Sequence, residues 1–465
     1  MIGKEIMNEL MQIFGKDNVL SSKISMEAYS YDSSPFYGMP EAVVIAENTE
    51  MVSRCMHLAQ QQKINVIARG AGTNLSGGCV ADQGGIILAL NRLNSILEID
   101  EINQTALVEP GVTNMALQNA AQTHGLMYAP DPASLRVATL GGNIAEGAGG
   151  MRGVKYGVAK DHLLGLEVVL ADGEVVELGG NNRFFPGIDL TGIFCGSEGT
   201  FGIITKIRVR LVRIAESVRT LMAVFDSLEG AGETVAKIIS SGIIPVTLEI
   251  MDRTMVRAVD DFLQLGLPRD AEALLLIEID GCNEELDGQA EQIIAIAEET
   301  GASEVTLATT EQQRQDLWQA RRSGNGALGR IKPAYMVQDV TVPRHRLPGM
   351  LKFVADIASQ YNITIAQLAH AGDGNLHPHL LYDPFDLQEK ERVEQAAGEI
   401  FKAALDCGGT LTGEHGIGIE KKQYLPMAFA PEDIEFMKDV KQALDPALIL
   451  NRGKILDLAE VGDDR

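Results

Sequence analysis

Glycine placement constrains this chain more than any other feature. The apolar run Asn65-Val66-Ile67-Ala68 passes directly into Arg69-Gly70-Ala71-Gly72-Thr73-Asn74-Leu75-Ser76-Gly77-Gly78. A strand that ends in glycines and small polar side chains lets backbone N–H groups approach a pyrophosphate and line up as a nest. The spacing is not G-x-G-x-x-G and no long helix pattern follows, so a dinucleotide site of the Rossmann kind is disfavoured. The loop also lacks the Gly-Lys-Ser/Thr of a P-loop. After the rigid Pro130-Asp131-Pro132-Ala133-Ser134, glycine recurs through residues 139–157, with Thr139, Asn143, Ala145, Arg152 and Tyr156 in the same stretch. Such a stretch makes no stable helix without external contacts; it reads as chain that folds around something flat. A third piece, Cys195-Gly196-Ser197-Glu198-Gly199-Thr200-Phe201-Gly202-Ile203-Ile204, closes a run of alternating strands.

At 465 residues the chain has room for two or three cores. A net charge of −25 argues against a basic face for nucleic acid or anionic membrane. Five scattered cysteines with no C-x-x-C fit a reducing compartment and argue against an iron–sulfur cluster in this chain. No signal peptide is visible and no apolar run approaches the roughly 20 residues of a membrane span. The expectation is a cytoplasmic protein.

Near residue 215 the glycine nests stop. Strand and helix patterns alternate instead, which predicts an α+β domain with helices covering a mostly antiparallel sheet. A helix over 311–322 carries Trp318, Arg321 and Arg322. Arg321 reads either as a cation on the helix dipole or as a guanidinium fork for a substrate carboxylate. Four of the eight histidines fall in two short pieces, Ala369-His370-Ala371-Gly372-Asp373-Gly374-Asn375-Leu376-His377-Pro378-His379 and Thr412-Gly413-Glu414-His415-Gly416. Asp-Gly favours a two-residue hairpin turn. With Asp373-Gly374 at the tip, His370 and His377 become directly opposed cross-strand partners able to share a cation, and His379 shares their face. Glu414 supplies a carboxylate as third ligand, which leaves a catalytic position open. A glycine-rich loop with solvated histidines is the other reading.

The three glycine-rich pieces, in this order, resemble the FAD-binding domain of the vanillyl-alcohol oxidase / p-cresol methylhydroxylase (PCMH) superfamily. That resemblance implies a two-subdomain PCMH-type FAD domain over 1–215, a substrate or cap domain over 216–420, and a segment over 421–465 that returns to the FAD domain. It implies FAD contacts at Arg69, Gly70, Ala71, Gly72, Thr73, Asn74, Gly77, Pro130, Ser134, Thr139, Gly142, Asn143, Ala145, Glu198, Gly199, Ile204 and Asn451. Some members attach FAD through a histidine in the first loop; Thr73 stands near that position here, so the flavin is expected to be noncovalent.

With the histidine pieces added, nearly the whole chain resembles the FAD-linked D-2-hydroxyacid dehydrogenases. These include D-lactate dehydrogenases, the glycolate oxidase flavin subunit and D-2-hydroxyglutarate dehydrogenases. The resemblance implies one divalent metal, zinc or iron, on His370, His377 and Glu414. It implies His415 as catalytic base, Arg321 as the substrate-carboxylate arginine, and Asn375 and His379 as further substrate contacts. Dicarboxylate-specific members carry a lysine where Val337 stands and an asparagine where His379 stands, so a small monocarboxylate such as D-lactate or glycolate is expected. The electrons would pass to an external acceptor, a soluble redox protein such as an electron-transferring flavoprotein or an iron–sulfur subunit. A non-redox flavin transferase of the same fold is the alternative of another class.

Overall fold

The computed structural model describes residues 2–182 and 187–458. The chain forms two compact units. The first contains the described residues up to Gly149, those within Val158–Ile214 and those from Glu414 on; the second contains Gly150–Gly157 and Ala215–Gly413. The sequence places the return of the chain at 421, whereas the first unit resumes at Glu414, so Glu414 and His415 belong to it rather than to the second unit. Residues 150–157 are a short excursion into the second unit. No helix among the described residues is long and apolar enough to cross a membrane.

The first unit has two main sheets. Ala42–Ile45 and Val66–Arg69 both run parallel to Ile86–Ala89. All three are nearly continuous apolar runs, as parallel strands covered on both faces must be. The crossover helix Thr49–Gln62 starts where the Asn48 side chain accepts from Met51 N. It buries Val52, Cys55, Met56 and Ala59, one stripe at helical spacing, against Val44, Val66 and Leu88. The second sheet is antiparallel, in the order Ile96–Asp100, Thr105–Val108, Ile203–Arg210, Leu163–Val169, Val175–Gly179. Helix Leu140–Glu146 packs Leu140 and Ile144 on it. This helix forms in glycine-rich sequence because Thr139 caps it and because Gly141 lies so close to Pro110 that a Cβ would sit 2.5 Å from the ring.

The second unit is built on one sheet, ordered Ala302–Leu307, Ser217–Phe225, Ala273–Gly281, Thr247–Asp252, Thr364–His370, Asn375–Tyr382, Ala334–Val337, with Val340–Thr341 also on Asn375–Tyr382. Every pairing is antiparallel, as the alternating pattern predicts. Helices Arg253–Leu263 and Glu311–Arg322 bury Met255, Val256, Val259 and Trp318 on one face, against Met251, Leu274, Leu276 and Leu368. Along the same strands that face turns polar: Glu249 and His370 stand two residues from Met251 and Leu368, and Glu278 two residues from Leu276.

Glu278 ties the sheet to helix Glu311–Arg322. Arg314 donates to it bidentately at 2.8 and 3.2 Å, Trp318 Nε1 at 2.8 Å and Thr220 Oγ1 at 2.7 Å. Arg314, Trp318 and Arg321 lie on one helical stripe, so this knot also sets where Arg321 points. Burial alone pushes the Glu278 carboxyl up, but Arg314, Thr220 and Trp318 together outweigh it and hold it below the usual value of 4.5. A lowered folded pKa stabilises above the unfolded value and is lost as pH falls through the folded one. Unfolding of the Glu278→Ala variant should therefore be easier by about 3–5 kcal/mol at neutral pH. In acid the difference from wild type should shrink as pH falls below 4.5, which denaturant titrations at several pH values will measure.

Candidate active site

In the first unit the glycine-rich pieces meet and are cross-linked by main-chain bonds and by asparagine side chains. Asn74 Oδ1 accepts from Ser76 N and Gly78 N, which folds the 69–78 loop back on itself. Gly70 lies against the cap of the next piece: a Cβ there would stand 2.2 Å from Thr139 Oγ1. Asn143 Nδ2 donates to Asn114 Oδ1, and Asn114 Nδ2 to Pro130 O at 3.4 Å. Ser134 O accepts from Ala138 N at 2.8 Å. Glu198 N donates to Ala145 O at 2.8 Å and Gly196 N to Ile144 O at 3.0 Å. Asn451 Nδ2 donates both to Gly78 O (2.8 Å) and to Glu198 O (2.6 Å), so the tail locks the first and third pieces together. Arg69 is folded under its own loop, donating to Cys79 O at 3.4 Å with its guanidinium 5.7 Å from the Tyr29 ring. Ile204 packs in the core with Ile144. The surface so built is main chain rather than side chain, which suits phosphates that need N–H donors; the residues fit FAD on that count.

Glu198 is a non-glycine residue in the left-handed region (φ 51°). Its carboxylate accepts from Ile417 N (2.6 Å) and Gly418 N (2.8 Å), directly after His415 and Gly416. Gly416 (φ +80°) has no room for a side chain: a Cβ would meet Glu146 Oε2 at 2.6 Å and Glu198 Oε1 at 2.8 Å. Burial pushes the Glu146 carboxyl well up, and the Glu198 charge adds to it. Burial raises Glu198 as well, against the two N–H donors and the Lys421 charge. The turn that carries His415 is therefore held by the buried Glu198 carboxylate of its own unit. Glu414 is held there too, accepting from Gly149 N at 3.0 Å.

In the second unit the histidine stretch is a hairpin, but not of the expected register. His370 faces Asn375 and His377 faces Leu368, so the connection is the four residues 371–374. A two-residue Asp-Gly turn needs positive φ at both residues. Among these four, Gly374 alone (φ +84°) has it. His370 and His377 are therefore diagonal rather than directly opposed. The offset keeps them on one face, with ring centroids 5.0 Å apart and planes at 83°. Each ring stands beside a buried carboxylate: His370 Nδ1 lies 2.7 Å from Glu249 Oε1 and His377 Nδ1 3.6 Å from Asp339 Oδ1. Asp339 Oδ2 also accepts from Thr412 Oγ1 (2.6 Å) and Gly413 N (2.9 Å). Arg321 Nε donates to Glu249 Oε2 at 2.6 Å, so neither expected reading of this arginine covers its buried partner. His379 lies with Nδ1 2.7 Å from His377 O and Nε2 2.9 Å from Asn325 Oδ1, beside the Tyr335 ring. Imidazoles whose Nδ1 faces a carboxylate are the donors that zinc and iron take, so the set fits a divalent cation.

Glu249, Asp339 and Asn325 are not among the residues that the motifs single out. The signal in the sequence is an acidic residue inside the apolar run Leu248–Met251, and another between Val337 and Val340; a buried charge is kept only where it is paired.

The two units define the class: a PCMH-type fold with a second unit built on an antiparallel sheet. The family description "FAD binding domain" matches residues 40–179 and "FAD linked oxidases, C-terminal domain" matches residues 214–455. The chain is similar to the glycolate oxidase subunit GlcD of Bacillus subtilis (45% identical, covering 98% of this chain and 97% of that one). It is also similar to GlcD of Escherichia coli K12 (41%, 90% and 84%) and to the D-lactate dehydrogenase of Anaerostipes hadrus (34%, 97% and 97%). Among solved structures, p-cresol methylhydroxylase with substrate bound superposes with a TM-score of 0.81 at 19% identity, covering 98% of this chain and 97% of that one. The chain belongs to the FAD-linked oxidases, in the branch of the GlcD subunits and D-lactate dehydrogenases, and is an FAD-linked oxidoreductase.

Because Gly70 lies against Thr139, Gly70→Ala should push two of the three glycine-rich pieces apart. The expected result is several-fold less flavin per chain with an unchanged circular dichroism spectrum, read from flavin absorbance against protein concentration.

Proposed function

We propose that the protein oxidises a small D-2-hydroxy acid, D-lactate or glycolate, to the 2-oxo acid, with noncovalent FAD and one divalent cation, zinc or iron. The observation that carries this reading is the pair of diagonal imidazoles, each on a buried carboxylate, with Arg321 joined to one of those carboxylates. Bound FAD supplies the hydride acceptor, and a bound divalent cation supplies Lewis-acid polarisation of a substrate oxygen.

The chain's own residues divide the remaining work. Arg321 takes the substrate carboxylate through its guanidinium fork. His370, His377 and Glu414 hold the cation. His415 accepts the hydroxyl proton, which an imidazole can do near neutral pH. Asn375 and His379 contact the substrate. Val337 stands opposite His379 in the sheet, and neither residue offers the fixed positive charge that a second carboxylate would need, which favours a monocarboxylate. Electrons then pass to an external, soluble redox protein such as an electron-transferring flavoprotein. The 45% identity to a glycolate oxidase subunit favours a second reading, the flavin subunit of a multi-subunit glycolate oxidase; an iron–sulfur chain that co-purifies with it would separate the two.

Anaerobic mixing with D-lactate or glycolate should bleach the flavin, L-lactate should not, and a chelator should abolish bleaching. His415→Ala should keep its FAD and reduce it more slowly by about 10²–10⁴-fold, the usual scale of general-base catalysis. A flavin left oxidised by every 2-hydroxy acid would end this reading in favour of a non-redox transferase.

A further inference from the structure

Glu249 sits on the interior strand Thr247–Asp252 with no exposed surface. Its neighbours across the sheet are Leu276 on one side and His370 on the other. One carboxylate oxygen stands 2.7 Å from His370 Nδ1; the other accepts from Arg321 Nε at 2.6 Å. We infer that Glu249 is a positioning residue for both halves of substrate binding: it fixes the imidazole of His370 for the cation and the guanidinium of Arg321 for the substrate carboxylate. The inference deepens the proposed function and rests on its cation and its arginine.

An ionised carboxylate only accepts hydrogen bonds. A neutral imidazole facing it must therefore carry its proton on Nδ1, and any ligation runs through Nε2. A carboxylate behind a ligating histidine fixes the tautomer and the ring plane and raises the ring's basicity. The second oxygen does the same for Arg321. A guanidinium held at Nε is fixed about its long axis, so its Nη edge is aimed before a substrate arrives and less entropy is lost on binding.

Charge makes the bridge more than convenient. Arg321 is 4% exposed, and a divalent cation on His370 would add positive charge to the same buried cluster. One carboxylate bonded to both offsets both. The arrangement also couples them: a side chain that shifts to serve one partner leaves the other. A purely structural ion pair between sheet and helix would need only the Arg321 contact and would leave the tautomer of His370 to chance.

The test is Glu249→Gln in the full FAD-loaded chain. Glutamine keeps the shape but removes the charge, and its amide can donate to His370 Nδ1. Zinc affinity, titrated against a chelator, is expected to fall about 10- to 100-fold. The ¹⁵N signals of His370 should leave the Nδ1–H form. KM for the 2-hydroxy acid should rise by roughly tenfold, the scale of one charge-assisted hydrogen bond, with flavin content unchanged. Zinc bound equally by wild type and variant, with the His370 tautomer unmoved, would overturn the role of Glu249. A wild-type protein that binds no zinc would instead overturn the proposed cation site. Should Glu249→Gln lose its flavin, Glu249→Asp takes its place. It keeps the charge but is one methylene short, so it reaches one partner and not both. Weakened zinc affinity or raised KM supports the bridge, and wild-type values of both refute it.

Discussion

Glu249 holds a histidine with one oxygen and an arginine with the other, and much of the second unit can be read as what is needed to keep that carboxylate dry and in place. It stands on an interior strand, beneath the helix that brings Arg321, at the point where the sheet face changes from apolar to polar. Removing a carboxylate from water is costly, and attraction alone seldom repays the cost unless every remaining lone pair is used. Here both oxygens are used. The neighbouring strand repeats the arrangement with Glu278, whose partners Arg314 and Trp318 come from the same stripe of the same helix. Two buried glutamates on adjacent strands thus fix one helix in rotation and translation, and Arg321 gains its aim in part from the Arg314 contact two turns away.

Asp339 extends the same economy along the hairpin. One oxygen stands beside His377, while the other accepts from Thr412 and Gly413, the two residues before Glu414. In the first unit Glu198 plays the matching part from the other side of the sequence, capping the N–H groups of Ile417 and Gly418. Thr412 and Gly413 are thus held within the second unit, and Ile417 and Gly418 within the first. The glycines on either side of Glu414 and His415 are there for closeness rather than flexibility: Gly413 would place a Cβ 2.5 Å from Thr341 Oγ1, and Gly416 one within 2.8 Å of both Glu146 and Glu198.

The glycine-rich pieces were legible because each signals its own backbone. Strand–glycine junctions at Ala68–Arg69 and around Gly196–Gly202 need no tertiary information to be recognised, and the helix at 311–322 shows its capping box, Thr310 with Gln313, in the sequence itself. The hairpin was legible in kind but not in register. Asp-Gly is compatible with more than one connection, and a longer loop that leaves Asp373 out of the left-handed region was the one the chain adopts. The residues missed, Glu249, Asp339 and Asn325, lie 121, 38 and 54 positions from the histidines they touch. An acid among apolar neighbours marks Glu249 and Asp339 as buried, but nothing local names their partners, and nothing local marks Asn325.

The sequence by itself therefore determined the flavin-binding architecture, the alternating helices and strands of the second unit, and the identity of the histidines, because these depend on short-range backbone chemistry and on residue types with few other uses. Only the tertiary structure decided which carboxylates face those histidines, that the two rings meet diagonally, and that Arg321 is tied to the sheet. The reason is physical: strand order and register join residues far apart in the chain, and a buried acid shows its purpose only once its partner is beside it.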